Sequence, residues 1–382
     1  MKRLLLFVAT MGVTNVISQV IKTDTTDLTF TGTKISPYSV DYDSTGSFTL
    51  SGYIDAYYAG YTDSAQASGY HNFPTAAPRG NQFGLNIVQI GAKYQSKRFR
   101  GIATLFFGDT PASAWSPNFN MIQEANLGFR IVGKLWLDAG FFRTHIGLES
   151  IQPRENIAMS FATTTYFEPY YMSGAKLTWE QSKKWVFQLN AFNGFNNFVD
   201  NNQNKAIGAS VGFTPSDKLS VSFSTLMTDE SPDNFPRKQT RLYNNLIAIY
   251  QTKHVTIGVE GNYGMQSNSV LTDTNATATM FSTLAAVKYR ITPMWATYVR
   301  GEYFTDPDEI LTGPVLNENH ELTGLDILGA TLGFEYKPIP NSYFRVEGRM
   351  LQTQGSNEHI FYLNGTPSNT RYELIAGIGV WF

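Results

Sequence analysis

The chain has 382 residues, of which 42% are hydrophobic, 14% are aromatic and only 16% are charged. Charged residues are scarcer than the roughly 25% of an average soluble domain, whereas Gly (32), Phe (27) and Tyr (21) are abundant. This composition favours strands and argues against a helical protein. The net charge of −2 argues against nucleic acid as a partner. The absence of cysteine excludes disulfides and thiolate metal sites.

The first residues have the layout of a secretory signal peptide. Lys2 and Arg3 precede an apolar run over about residues 4–13, and small residues follow it. This run is too short and wrongly flanked for a membrane-spanning helix, although a buried N-terminal helix is the alternative. We therefore expect residues 1–18 to be a signal peptide. Residues 19–45, rich in Thr, Ser and Asp, are expected to form an N-terminal periplasmic extension.

From about residue 46 onward, apolar residues alternate with small or polar ones. In residues 205–224, KAIGASVGFTPSDKLSVSFS, the apolar side chains alternate with little more than Gly and Ser on both sides of a turn. A period of two bounded by turn residues predicts strands with one apolar face. The pattern predicts sixteen strands, at residues 46–61, 83–95, 98–107, 120–131, 134–143, 171–180, 184–193, 205–214, 218–228, 241–251, 254–264, 279–290, 294–304, 325–337, 342–354 and 370–382.

The connections between these strands alternate in length. Short ones, such as residues 132–133 and 215–217, have about two to four residues, and long ones, such as 62–82 and 144–170, have about eleven to twenty-seven. Short turns at one end and long loops at the other are typical of outer-membrane barrels. Aromatic residues also cluster at both ends of the strands, as in the two girdles that such barrels place at headgroup depth.

These patterns together predict an all-β fold, a transmembrane antiparallel β-barrel of about 16 strands. After residue 18 no apolar run approaches the roughly 18 to 20 residues of a membrane helix. A closed barrel is the alternative that pairs every backbone group inside hydrocarbon. We expect residues 46–382 to form an outer-membrane β-barrel of a Gram-negative envelope. Its long loops should lie outside the cell, and its turns and both termini should be periplasmic.

The register of each strand divides its residues between lipid and lumen. Because the apolar register must face lipid, the other register faces a lumen that sixteen strands leave too wide for side chains to fill. The charged residues predicted to line this pore are Asp138, Lys176, Glu260, Arg300, Glu302, Arg345, Glu347 and Arg349. All of these except Glu302 and Arg345 are predicted to lie near mid-height. Basic and acidic members are nearly balanced, which predicts a weakly selective channel. The alternative is a salt-bridged filling of the lumen.

The longest connection, residues 144–170, is apolar enough to pack against other residues. It carries His145, Glu149, Arg154 and Glu155. A loop of this character either caps the outside of the barrel or folds into the lumen and narrows it.

The chain as a whole resembles outer-membrane porins. Its last strand, RYELIAGIGVWF, ends at Phe382 and is similar to the C-terminal signal that the barrel-assembly machinery reads. The stretch HIGLE, followed by an Asn, a Ser and EPYYMSGAKLTW, resembles the OmpL-like β-barrel porins. In that family a Gly-x-Glu element precedes an Asn and Ser segment and a Pro-aromatic start of the next strand. The matching positions are Gly147, Glu149, Asn156, Ser160, Pro169 and Gly174.

The resemblance implies a channel for the passive diffusion of small hydrophilic solutes and ions. It also implies that residues 144–170 constrict the pore, with His145, Glu149, Arg154 and Glu155 at the constriction. These residues form no dense acidic cluster, so the constriction should be weaker or differently charged. The partners expected are outer-membrane lipid, small polar solutes and the barrel-assembly machinery, together with a homo-oligomer or other envelope proteins.

Other functions have weaker support in the sequence. No Ser–His pair suited to hydrolysis can be drawn from the strands, so we expect neither an enzyme nor a cofactor. Residues 305–324 are oxygen-rich but lack the spacing of a calcium loop, so no metal site is expected there. The serious alternative is a non-conducting barrel subunit of a larger envelope complex, for secretion or surface assembly.

Overall fold

A computed structural model of the chain describes most residues from Gly46 to the C-terminus. The described ranges are 46–63, 68–71, 76–200, 202–229, 231, 235, 237–355 and 359–382. The predicted signal peptide (1–18) and N-terminal extension (19–45) lie outside the described residues.

Sixteen antiparallel strands form one closed barrel, in which the first strand pairs with the last. The predicted fold class is therefore confirmed. The barrel strands are β1 (Ser47–Tyr61), β2 (Gln82–Gln95), β3 (Phe99–Phe107), β4 (Ile122–Val132), β5 (Leu135–Arg143), β6 (Tyr171–Trp179), β7 (Trp185–Phe192), β8 (Ala206–Ser216), β9 (Leu219–Asp229), β10 (Thr240–Gln251), β11 (Val255–Gln266), β12 (Ala278–Arg290), β13 (Trp295–Asp306), β14 (Leu325–Tyr336), β15 (Ser342–Thr353) and β18 (Thr370–Trp381). A separate hairpin lies between the last two, formed by β16 (Phe361–Leu363) and β17 (Thr366–Ser368).

The predicted strands agree with the observed ones to within two residues at each end. The prediction missed the small hairpin and two short helices, α1 (Asp109–Ala114) and α2 (Thr163–Phe167). All of these lie in long loops, where no period of two exists to reveal them. In the described part of the chain, no helix is long and apolar enough to cross a membrane.

The alternation of exposure along β11 shows how the sequence specifies the two faces of the wall. Glu260 and Asn262 are buried inside the barrel, whereas Val259 and Tyr263 are exposed on the outer face. A one-residue slip would exchange the two faces and bring a carboxylate to the outside, so the register is strongly specified.

A pair of glycines marks the place where β5 and β6 adjoin the longest loop. Gly140 and Gly174 are cross-strand partners with φ of 131° and 153°. L-residues rarely adopt this conformation. A Cβ at Gly174 would also lie 2.8 Å from the Cα of Phe192. Both strands therefore require glycine beside residues 144–170.

Part of the hydrophobic core lies inside the barrel, between this loop and the strands. Leu148 and Ala162 of the loop pack with Ile247, Ile249 and Leu284 of the inner wall. A neighbouring cluster joins two further loop residues to β12 and β13. Burial of this apolar surface, worth roughly 25 cal/mol per Å², favours a loop held against the wall.

Candidate functional site

Residues 144–170, here called the lumen loop, lie inside the barrel. Ile146, Ile157 and Met159 are at most 3% exposed. The regular elements of the loop are a single 3₁₀ turn at Pro153–Glu155 and α2. Most of its backbone must therefore find hydrogen-bond partners outside regular secondary structure.

Carboxylates of the barrel wall accept hydrogen bonds from the loop backbone. The Leu148 N–H donates to Glu260 at 2.9 Å. The N–H groups of Met159 and Ser160 donate to the two oxygens of Glu347 at 2.7 and 2.9 Å. In the same way, the N–H of Thr163 donates to Glu302. These strand carboxylates therefore supply the acceptors that regular secondary structure would otherwise give to the loop N–H groups.

Arginines of the wall supply the complementary donors. Arg300 donates to the carbonyls of Ser160 at 2.6 Å and Phe161 at 3.1 Å. Arg345 donates to three further loop carbonyls at distances of 2.7 to 3.2 Å. Arg349 is held by Glu302 at 2.8 Å, next to these contacts. Charge-assisted bonds of this kind are about twice as strong as neutral ones, so they fix the loop against the strands.

Glu149 connects the two halves of the lumen loop. It accepts the Ala162 N–H at 2.7 Å, the Thr165 hydroxyl at 3.0 Å and the Arg300 guanidinium at 2.8 Å. One carboxylate thus joins the loop to itself and to β13.

The lumen loop packs on glycines of the inner wall. A Cβ at Gly258 would lie 2.9 Å from the Leu148 side chain, and one at Gly208 would lie 3.3 Å from the imidazole of His145. Ser224 donates to the carbonyl of His145 at 3.0 Å. Burial and the nearby Lys176 ammonium lower the pKa of His145 to about 3, so its ring is neutral. The Gly and Ser face of residues 205–224 therefore seats the start of the loop.

A different set of charged residues lies on the inner faces of β2–β6 and on the loop residues that face them, here called the open side. Arg143 forms a two-contact pair with Glu155 at 2.5 and 3.3 Å. Arg154 donates to Gln89 at 3.0 Å, and its guanidinium lies 4.6 Å from the Tyr53 ring centre. Arg143, Arg154 and Glu155 all remain partly exposed to solvent.

The strands of the open side continue this charged surface. Arg100 forms a two-contact pair with Asp138 at 2.6 and 2.5 Å. The Lys176 ammonium lies 3.9 Å from the centre of the Phe142 ring. Lys93, Arg100 and Glu124 are partly exposed. Water therefore reaches several charges on this side of the lumen.

All the residues selected from the sequence except His145 separate into two groups. The inner faces of β10–β15 and β18 form what we call the covered wall, which lies beneath the loop. The predicted residues buried between this wall and the loop are Glu149, Glu260, Arg300, Glu302, Arg345, Glu347 and Arg349. Those on the open side are Asp138, Lys176, Arg154 and Glu155, whereas His145 packs against β8.

The sequence analysis did not predict that the lumen loop packs on inner-wall glycines, and it did not predict the role of Arg143. Nothing local in the sequence indicates what packs on Gly208 and Gly258. Arg143 ends β5, where the alternation stops, and an arginine directly before the longest loop was the available signal. Its contacts with Ser150 and Glu155 come from the fold of the loop.

The acidic residues of 305–324 stabilise the loop itself. The two oxygens of Asp306 accept the N–H groups of Ile310, Leu311 and Thr312 at 2.8 to 3.0 Å. Glu309 accepts the Val315 N–H at 3.0 Å. Across the described ranges, no group of three or more His, Asp or Glu side chains is placed to hold a metal ion.

The model of one protein family, described as "Putative beta-barrel porin-2, OmpL-like", matches residues 47–382. No curated protein matches the sequence. Solved structures share the fold at low identity. The anion-selective porin from Comamonas acidovorans has 10% identity and a TM-score of 0.57, with 88% of this chain and 100% of that chain covered.

Two further solved structures show the same likeness. The outer membrane channel DcaP of Acinetobacter baumannii has 11% identity and a TM-score of 0.59, covering 88% of this chain and 97% of its own. OmpT of Vibrio cholerae in its trimer form has 12% identity and a TM-score of 0.57, covering 88% and 99%. Family and fold point to a channel of the outer membrane rather than an enzyme. The chain belongs to the OmpL-like family of β-barrel porins.

Proposed function

We propose that this porin lets small hydrophilic solutes diffuse passively across the outer membrane, with the lumen loop as its constriction. The observation that carries the proposal is the attachment of this loop to two parts of the inner wall. Gly147 donates a hydrogen bond to Asn245 of β10, and Arg154 donates one to Gln89 of β2. Such a crossing narrows the lumen without closing it, because the open side keeps partly exposed charges.

The orientation follows from the lengths of the connections. Outer-membrane barrels have short periplasmic turns and long extracellular loops. The long loops other than the lumen loop, including 305–324, then lie outside the cell, and both termini are periplasmic. The barrel-assembly machinery would recognise the C-terminal strand, and a homo-oligomer would parallel the trimer form of OmpT.

Conductance in a planar bilayer is the direct test. The chain contains no cysteine, so a single introduced thiol is the sole target for a charged methanethiosulfonate reagent. We expect Glu155→Cys to form a stable channel whose conductance falls after modification. The matched control is Lys205→Cys, whose native side chain is 50% exposed in an ion pair with Asp200. That thiol should react without changing conductance. Equal block in both variants would contradict the constriction.

One observation favours the alternative of a non-conducting subunit in a larger envelope complex. Arg300, Arg349 and Arg371 are at most 2% exposed, so much of the inner wall is filled by packed side chains rather than by water. A silent barrel that copurifies with other envelope proteins would support this function and overturn the diffusion channel.

A further inference from the structure

Charge is unevenly distributed on the open side of the lumen. It carries six basic side chains: Lys93, Arg100, Arg130, Arg143, Arg154 and Lys176. Counting the residue that follows β6, it carries four acidic ones: Glu124, Asp138, Glu155 and Glu180. The excess is two positive charges. It remains two when the buried Asp138 and Lys176 are left out, because five basic and three acidic residues are then partly exposed.

Some of these charges neutralise one another through direct contact. Arg100 pairs with Asp138, and also lies 3.5 Å from Glu180. Arg143 pairs with Glu155. Arg154 donates to the amide oxygen of Gln89 and lies over the Tyr53 ring, and Lys176 lies over the Phe142 ring. These contacts hold the two cations in place, with the carboxylates of Glu155 and Asp138 nearby.

The charges of the other inner surfaces are mostly buried. Asp55 of β1, for example, is 0% exposed and accepts hydrogen bonds from Asn86 and Tyr343. The inward residues of β7–β9 are uncharged and include Gln188, Asn190, Ser210 and Ser222. On the covered wall, Glu260 and Glu347 are buried and occupied by loop N–H groups and neighbouring donors. The potential of the passage is therefore set mainly by the open side.

We propose that the passage selects small anions over cations, with the cations of the open side as the selective surface. The inference rests on the proposed channel and names its solute class. A narrow, low-dielectric lumen lined by one sign of excess charge concentrates the opposite ion. Screening has a length of about 8 Å at physiological salt, so the preference should weaken as salt rises.

The test measures the reversal potential of the mature protein in a planar bilayer under a KCl gradient. We expect chloride to be more permeant than potassium by about twofold or more at low salt. Lys93→Gln and Arg154→Gln should each bring this ratio closer to one, and the double variant should lower it most. Lys93 lies on β2, outside the loop, so its variant tests charge without disturbing the loop. The matched control, Lys205→Gln, removes a cation outside the barrel strands and should leave the ratio unchanged.

The outcomes separate this inference from the proposed function. A barrel without conductance would overturn the channel and the anion preference together. A conducting barrel with equal or greater potassium permeability would overturn the anion preference alone. A chloride preference that persists in both Gln variants would overturn the assignment to the open side.

Discussion

In the covered wall and the open side alike, inward and outward residues alternate along each strand. The two regions differ in whether their charged side chains are buried or reach water. On the covered wall, the Arg300 side chain is 0% exposed and is enclosed by loop carbonyls and Glu149. On the open side, Arg100 and Arg143 keep 12% and 17% of their side-chain exposure and pair with strand or loop carboxylates. Both sets are polar residues of the lumen, yet only one of them adjoins water.

The difference shows what a buried charge does in this barrel. Taking an ion pair out of water costs several kcal/mol per ion, so such pairs are weak evidence for stability. On the covered wall these ions also satisfy the backbone of a loop with little regular structure. We infer that they are used to specify one position for the loop, whereas the open side provides the electrostatic surface of the passage.

The largest expected effect comes from removing an anchor of the covered wall. Arg300→Met would leave the buried Glu149 carboxylate without its cationic partner and would remove the Arg300 donors to two loop carbonyls. Breaking a buried pair in this way costs about 3–5 kcal/mol. We expect unfolding at a clearly lower denaturant concentration, followed by tryptophan fluorescence, and larger, noisier single-channel currents as the loop leaves the wall.

The matched variant on the open side is Arg143→Met. Its partner Glu155 is 19% exposed and can be hydrated once the arginine is gone. Pairs that remain accessible to water contribute about 0–1 kcal/mol to the free energy of unfolding. Arg143→Met should therefore destabilise the protein much less than Arg300→Met. Equal destabilisation by Arg143→Met and Arg300→Met would remove the distinction between the two regions.

The barrel could be predicted from the sequence because each strand carries its own evidence. The period of two in β11, for example, identifies the strand, its register and the inward position of Glu260. The same local rule could not tell whether Glu260 faces water or a loop. Its partner, Leu148, is 112 positions away, and no local pattern relates the two residues. The candidate site was therefore predicted as a set of inward residues, but not as two separate regions.

The path of the lumen loop also could not be predicted from local sequence patterns. The sequence left residues 144–170 either outside the barrel or inside it. Their inward path depends on long-range contacts, such as Arg345 with the carbonyl of Ala158. The requirement for glycine at position 258 becomes evident only when Leu148 lies on it.

A variant that adds side-chain volume, without changing charge, also tests the comparison between the covered wall and the open side. Gly258→Phe places a ring where Leu148 contacts the covered wall, which should push the loop towards the open side and lower conductance. Overpacking of this kind costs about 1–3 kcal/mol. The control is Gly261→Phe in the same strand, because a Cβ there meets nothing within 4 Å. Equal conductance in the two variants would show that the loop does not rest on Gly258 in the membrane.

The smallest expected effect is a pH dependence at the end of the lumen loop. Glu168, which precedes β6, accepts a hydrogen bond from Tyr243 at 3.1 Å. Burial, with the carboxylates of Glu260 and Glu149 close by, raises the pKa of Glu168 well above its ordinary value. The seated loop therefore favours protonated Glu168. A displaced loop would leave this carboxyl hydrated, with an ordinary pKa of about 4.3.

The sign of the effect follows from this difference between the two states of the loop. The contribution of Glu168 to seating is complete below its ordinary pKa, decreases as pH rises, and is lost above the raised pKa. Open-channel current fluctuations should therefore increase with pH across that window. Glu168→Gln keeps a neutral side chain that can still accept from Tyr243, so its currents should be independent of pH over the same range. If Glu168→Gln retained the full pH dependence, the titrating group would lie elsewhere in the protein.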